Sequence, residues 1–277
     1  MPFNDYVARD LNFGLHFQTG YRQDMRDLAY YRDLIFVLTQ KEIKVRYKNT
    51  VLGYFWSITN PLAFAFVFYI AFKIILRIQM EDYALFLIAG LFPWQWFANS
   101  INASPVVLLG NASLIKKVNF PRNIIPFAMV LQDMIHFVLS IPVIVLFMLI
   151  YHKTPSLSWI YGIPLLLFIQ FLMTYGLCLI VSSANLFFRD IARFTDIFMT
   201  LLFYFTPIIY PESMIPNNYH WVYFTPASAL MISWRNLFLN GTLELSSLAI
   251  SFGYSLLSLV VGYLVFKRLS RRFAEVL

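Results

Sequence analysis

The sequence predicts an all-α integral membrane protein with six transmembrane helices, and three observations carry that expectation. Of its 277 residues, 60% are hydrophobic and only 13% are charged. A soluble domain of this size covers its surface with roughly a quarter charged residues, and lipid is the solvent that needs so little polarity. Six apolar runs approach or exceed the roughly 20 residues that cross about 30 Å of hydrocarbon: Val51–Phe72, Tyr83–Leu109, Ile124–Tyr151, Leu157–Phe188, Phe194–Tyr210 and Ser247–Phe266. Finally, the basic residues gather in alternate connections between these runs.

Residues 1–50 read as a cytoplasmic segment. They are polar and lack an early apolar core, so no cleavable signal peptide is expected and the first span would serve as the insertion signal. Within them, Asp24–Lys48 place Leu28, Tyr31, Leu34/Ile35 and Leu38 on one helical stripe, with Arg26, Arg32, Lys41 and Lys44 elsewhere. A basic amphipathic helix of this kind lies in the inner membrane interface.

Residues 51–277 form the transmembrane domain. Its second and fourth runs exceed a perpendicular crossing, which predicts tilt or kinks. Pro61, Pro93, Pro142, Pro164 and Pro207 sit within the runs, as membrane helices allow when neighbours satisfy the freed carbonyls. The fifth run is short and ends in Thr206-Pro207. Residues 211–240 are too apolar for a solvated loop, holding Met214, Ile215, Trp221, Tyr223, Phe224, Leu230, Met231, Ile232, Trp234, Leu237 and Phe238, and are punctuated by Pro216 and Pro226. Neither half is long enough to cross, so two short re-entrant helices dipping into the outer leaflet are expected.

Orientation follows from Lys and Arg. Arg9, Arg22, Arg26, Arg32, Lys41, Lys44, Arg46 and Lys48 precede the first span. Lys116, Lys117 and Arg122 fall in the second connection, Arg189 and Arg193 in the fourth, and Lys267, Arg268, Arg271 and Arg272 in the tail. Only Lys73, Arg77, Lys153 and Arg235 fall on the other side. Both termini are therefore expected in the cytoplasm, and the net charge of +7 is explained without nucleic acid.

Catalytic signatures are missing. There is no G-x-x-x-x-G-K-[ST], G-x-G-x-x-G, H-E-x-x-H or G-x-S-x-G. The single Cys178 lies in an apolar run, and His16, His136, His152 and His220 are scattered without ligand spacing, so no metal site is expected. Asp133 and His136 in the third run, and Asp196 near the start of the fifth, are the intramembrane ionisable groups. Such groups are functional candidates by default; the plainer reading is a helix-to-helix hydrogen bond. A proton-driven carrier would need more buried charge, better paired.

Aromatic residues make up 19% of the chain, and interfacial belts account for part of that. The first span carries them along its length, on a stripe of Gly53, Trp56/Ser57, Asn60, Phe64 and Phe68. The fifth has Thr200, Phe203/Tyr204 and Pro207. A pore for a polyhydroxylated polymer would use such faces, since sugar C–H faces pack on rings while Ser, Thr and Asn bond hydroxyls; rings facing lipid or other helices are the alternative.

Two cytoplasmic motifs are the most specific signals. One is Lys41–Trp56 (KEIKVRYKNTVLGYFW), followed by Asn60-Pro61. The other is Ser113-Leu114-Ile115-Lys116-Lys117-Val118-Asn119-Phe120-Pro121-Arg122. The second reads as a short helix mixing apolar knobs with cations and stopped by Pro121, suited to a groove on a cytoplasmic partner. A lipid-surface loop would not need Leu114, Ile115, Val118 and Phe120 together.

Both motifs, with Leu91-Phe92-Pro93-Trp94 in the second span and the re-entrant segment, resemble the membrane subunits of bacterial ABC exporters for O-antigen, capsular polysaccharide and teichoic acid. The resemblance covers the chain from about residue 30 onward. It implies a homodimer in the bacterial inner membrane with a pore between subunits, bound to two copies of a separate ATPase that holds the ATP and Mg, so that this chain is not itself an enzyme and carries no cofactor. It further implies that Ser113–Arg122 is the coupling helix seated on the ATPase. Lys41, Lys44, Arg46 and Lys48 would meet lipid phosphates. Trp56, Asn60, Phe64, Phe68, Thr200, Phe203 and Tyr204 would line the channel, and the outer helices would gate it. The cargo would be an undecaprenyl-linked polysaccharide. Export of another amphiphile, such as a drug or lipid, is the alternative within transport. A membrane glycosyltransferase would need a carboxylate or His/Arg cluster, where the outer side offers only Glu81, Asp82, Glu212 and Glu244. A proton-coupled flippase would rest on Asp133.

Overall fold

The computed structural model describes residues 23–46, 53–75, 77, 80–118 and 120–276. Among them every regular element is helical. In chain order these are α1 (Gln23–Arg46), a 3-10 turn (Gly53–Phe55), α2 (Trp56–Phe68) continued as a π-helix (Tyr69–Ile75), α3 (Tyr83–Gly110) and α4 (Ala112–Lys117). Then follow α5 (Ile124–Ile150), α6 (Trp159–Phe187), α7 (Ile191–Phe205), 3-10 turns at Glu212–Met214 and Asn217–Phe224, α8 (Pro226–Asn240), α9 (Leu245–Ser270) and α10 (Phe273–Val276).

Four helices, α3, α5, α6 and α9, are long and apolar enough to cross a membrane. The first and fifth apolar runs form shorter α-helices. The fifth begins three residues earlier than its apolar run and stops at Phe205, because Thr206 precedes Pro207 and is driven into extended backbone (φ −84°, ψ 134°). Its neighbours Pro207, Ile208 and Ile209 are unwound yet buried.

The bundle is built around α3. Of its most apolar window 78% is buried, against 17% for α9, so α3 is enclosed by α2, α5, α6, α7 and α8 while α9 lies at the edge. Pro93 and Pro105 lie inside α3, and side chains from α6 bond the carbonyls of these two residues. Gln170 Nε2 donates to Pro93 O at 2.8 Å, and Asn185 Nδ2 donates to Pro105 O at 2.7 Å. Trp234 Nε1 of α8 donates in turn to Gln170 Oε1 at 2.6 Å. These three buried side chains are thus paired across helices, as a low-dielectric interior favours.

Alpha helices α6 and α9 approach closely through small residues. A Cβ on Gly262 would sit 2.1 Å from Gly176 O, and Ser258 Oγ donates to Met173 O at 3.2 Å. In the region of the expected outer helices, only the second half forms an α-helix. Thr225 caps α8 by accepting from Ser228 N, with Pro226 in the first turn, and Gly241 closes it in the left-handed region (φ 66°). The first half makes 3-10 turns, interrupted by Pro216.

Candidate functional site

At the end of the bundle predicted to be cytoplasmic, α3 turns into α4 at Asn111. Its Nδ2 donates to Val107 O at 2.8 Å, and its backbone carbonyl accepts from Leu114 N and Ile115 N. Lys41 Nζ of α1 donates to Asn111 Oδ1 and pairs with Glu42 Oε1 at 3.3 Å. One asparagine therefore ends the central helix, starts α4 and ties both to α1. Part of the apolar stripe expected on α1 faces the same way: Leu38 is buried and Leu34 and Ile35 partly so, whereas Tyr31 is exposed and the side chain of Leu28 lies outside the described residues; α1 packs on α5.

The segment 113–122 splits into two faces. Ile115 and Phe120 are buried in the protein itself. Leu114 is partly buried, while Ser113, Lys116, Lys117, Val118 and Pro121 are exposed. Of four apolar knobs expected to seek a partner, two instead anchor the loop to its own bundle, because a six-residue helix cannot hold its place without packing. Arg122 also turns inward, donating from Nη1 to Ser270 O at 2.8 Å and lying 5.8 Å from the Phe273 ring. Asn119 and Lys48 lie outside the described residues, as does the side chain of Arg46. Lys44 is exposed, whereas the ammonium of Lys41, expected at lipid phosphate, is engaged by Asn111.

The two aromatic stripes adjoin. Phe68 of α2 and Phe203 of α7 have ring centroids 5.6 Å apart, and Trp94 of α3 lies 5.7 Å from Phe203. Phe68 and Phe203 are half-buried joints, while Trp56, Phe64, Thr200 and Tyr204 remain exposed. The side chain of Asn60 lies outside the described residues. Thr200 Oγ1 donates to Asp196 O at 2.8 Å, one turn back on its own helix, which leaves its lone pairs for an outside donor. Alpha helix α7 turns Thr195 and Met199 inward and leaves Phe194, Ile197, Phe198, Leu201, Tyr204 and Phe205 exposed. The result is a wide aromatic face on adjoining helices.

Asp133 accepts from Ser100 Oγ at 2.8 Å, a bond between α5 and α3, and His136 is buried beside it on α5. The structure thus supports the plainer reading of this pair. Sequence reasoning missed Asn111 and Arg235. Nothing local marks Asn111, which looks like an ordinary turn residue. Arg235 does carry a signal, a lone cation in the apolar stretch Leu230–Leu239.

Comparison with known proteins supplies the relationship. Residues 33–239 match the family described as ABC-2 type transporter. The O-antigen export system permease protein RfbA of Klebsiella pneumoniae is 46% identical over 252 residues, 91% of this chain and 97% of that protein. The protein of the same name from Myxococcus xanthus is 30% identical, over 77% of this chain and 83% of that one. The polysialic acid transport protein KpsM of Escherichia coli is 26% identical over 66% and 71% respectively. The resemblance carried by the two motifs is therefore borne out: this chain belongs to the ABC-2 type transporter family of membrane proteins.

Proposed function

We propose that this chain is the membrane subunit of an ATP-driven exporter that moves a lipid-linked, O-antigen-like polysaccharide across the bacterial inner membrane. The observation that carries the reading is similarity to an O-antigen export permease along nearly the whole of both chains. The more distant likeness to a polysialic acid transporter makes a capsular polymer the second reading.

In this reading ATP and Mg are bound by two copies of a separate ATPase, which dock on the exposed side of α4; the lack of a phosphate-binding loop in the sequence supports a separate ATPase. A homodimer brings two α2–α7 faces together around the pore. Stacking on a ring contributes on the order of 1 kcal/mol, so a glycan slides past successive rings without being trapped. With α2 and α7 as additional crossings the subunit spans six times, α8 lies re-entrant in the outer leaflet, and both termini are cytoplasmic, a topology that the distribution of basic residues supports.

The test is complementation. The chain, expressed with its ATPase in a strain lacking its own O-antigen export permease, restores long surface polysaccharide on gels; polymer that stays inside the cell counts against the proposal. Topology is read separately in a Cys178→Ser background. Arg272→Cys resists a membrane-impermeant maleimide in spheroplasts and Tyr219→Cys, exposed here, reacts.

A further inference from the structure

Among the described residues Arg235 is the only Lys or Arg side chain that is buried, at 4% exposure. Its guanidinium carbon lies 3.8 Å from the centroid of the Phe86 ring. Nη2 donates to Pro207 O at 2.6 Å and to Ile208 O at 3.1 Å. Tyr83 OH donates to the next carbonyl, Ile209 O, at 2.7 Å. Three successive carbonyls of the tail that leaves α7 are therefore held by donors from α8 and α3. The seat is made by Gly90, where a Cβ would stand 2.8 Å from Nη2.

The hold uses one nitrogen of three. Nε and Nη1 are buried with no hydrogen-bond partner, which leaves two charged donors desolvated and unpaired, a cost that a second partner would recover. One carboxylate feels that charge. Burial pushes the Glu212 carboxyl above the usual range, Arg235 pulls it partly back, and Glu244 pushes it up again. Glu212 sits five residues beyond Pro207 on the same tail, and its backbone carbonyl is held by Tyr223 OH at 2.6 Å.

We propose that Arg235 is a positioning residue for export: in this state it pins the tail of α7 against α3, and during export its unpaired edge takes up the Glu212 carboxylate as the tail shifts. The idea rests on α7 lining the channel, since only then does the position of its tail govern the exit. Arginine suits the task because its fixed fork can hold carbonyls on one edge while the other stays ready for a carboxylate.

The reporter is Ile209→Cys in a Cys178→Ser background. Ile209 is buried here, so a membrane-impermeant maleimide labels it slowly in spheroplasts. Arg235→Met should raise the labelling rate by at least about tenfold, as expected when charge-assisted hydrogen bonds to the tail are lost. Gly90→Ala keeps the charge but fills the seat of Nη2 and should raise it in the same direction. Arg235→Lys, still a donor, should return it toward the starting rate, which a merely space-filling role for the side chain would not require. Glu212→Gln should leave labelling slow yet reduce surface polymer per subunit. Labelling unchanged by both Arg235→Met and Gly90→Ala overturns the hold, and normal export by Glu212→Gln overturns the pairing with Glu212. If Arg235→Met does not insert, Gly90→Ala decides. Labelling needs no transport, so a chain that exports nothing strikes the exporter reading and leaves this test readable.

Discussion

Lys41 and Asn111 meet where α1 crosses the end of α3, the ammonium donating to the amide oxygen while the amide nitrogen donates to Val107 O. This joins α1 to the corner that carries α4. In an exporter, a push on α4 would reach α1 through it. Asn111→Leu removes these two bonds and the longer one from Nδ2 to Glu42 Oε1 (3.5 Å), and leaves Val107 O without its extra donor. We expect a loss of about 1–2 kcal/mol, seen as a lower melting temperature in detergent, with ATP hydrolysis by the assembled complex persisting while export falls. Unchanged melting and unchanged export would make the contact incidental.

The two faces of residues 113–122 predict different failures. Val118→Asp and Leu114→Asp place charge on the side left open, and should abolish co-purification of the ATPase while the subunit still inserts and elutes as one species. Ile115→Asp and Phe120→Asp bury an unpaired carboxylate, which costs several kcal/mol, and should reduce the amount of folded subunit itself. The reverse pattern would mean that the buried face is the docking face.

On the aromatic face, Phe64 is exposed and Phe68 is a joint to Phe203. Phe64→Ala should leave melting unchanged and slow export mildly, and adding Tyr204→Ala should slow it further. Phe68→Ala removes an aromatic pair contributing about 1 kcal/mol and should lower the melting temperature as well. Surface polymer per subunit is the measurement; wild-type export by the Phe64/Tyr204 double variant would remove these rings from the channel.

The α6–α9 contact leaves no room for a side chain at Gly262, where a Cβ would lie 2.1 Å from Gly176 O. Gly262→Leu should force the helices apart and cost upwards of about 3 kcal/mol by overpacking. Gly253→Ala, where nothing lies within 4 Å, is the control and should melt no lower than the parent, since alanine favours a helix over glycine. Equal melting of the two would show that the close approach is dispensable.

The sequence by itself determined the membrane class, the places where apolar runs begin and end, the side on which most basic residues gather and the kinship carried by two motifs. These are properties of composition and order along the chain, and hydropathy and charge report them without any knowledge of neighbours. It also placed Leu34, Ile35 and Leu38 on the packed face of α1, since a helix at an interface must be amphipathic. A spanning helix is apolar all round, so periodicity does not tell a lipid-facing side from a packed one. For that reason only the tertiary structure decided that Ile115 and Phe120 turn inward and that Phe68 meets Phe203. Lys41 and Asn111 stand 70 residues apart, and Arg235 finds Pro207 O 28 residues back. Those pairings depend on which helix packs against which, and the chain alone leaves that choice to the close approach of small residues such as Gly90, Gly176 and Gly262.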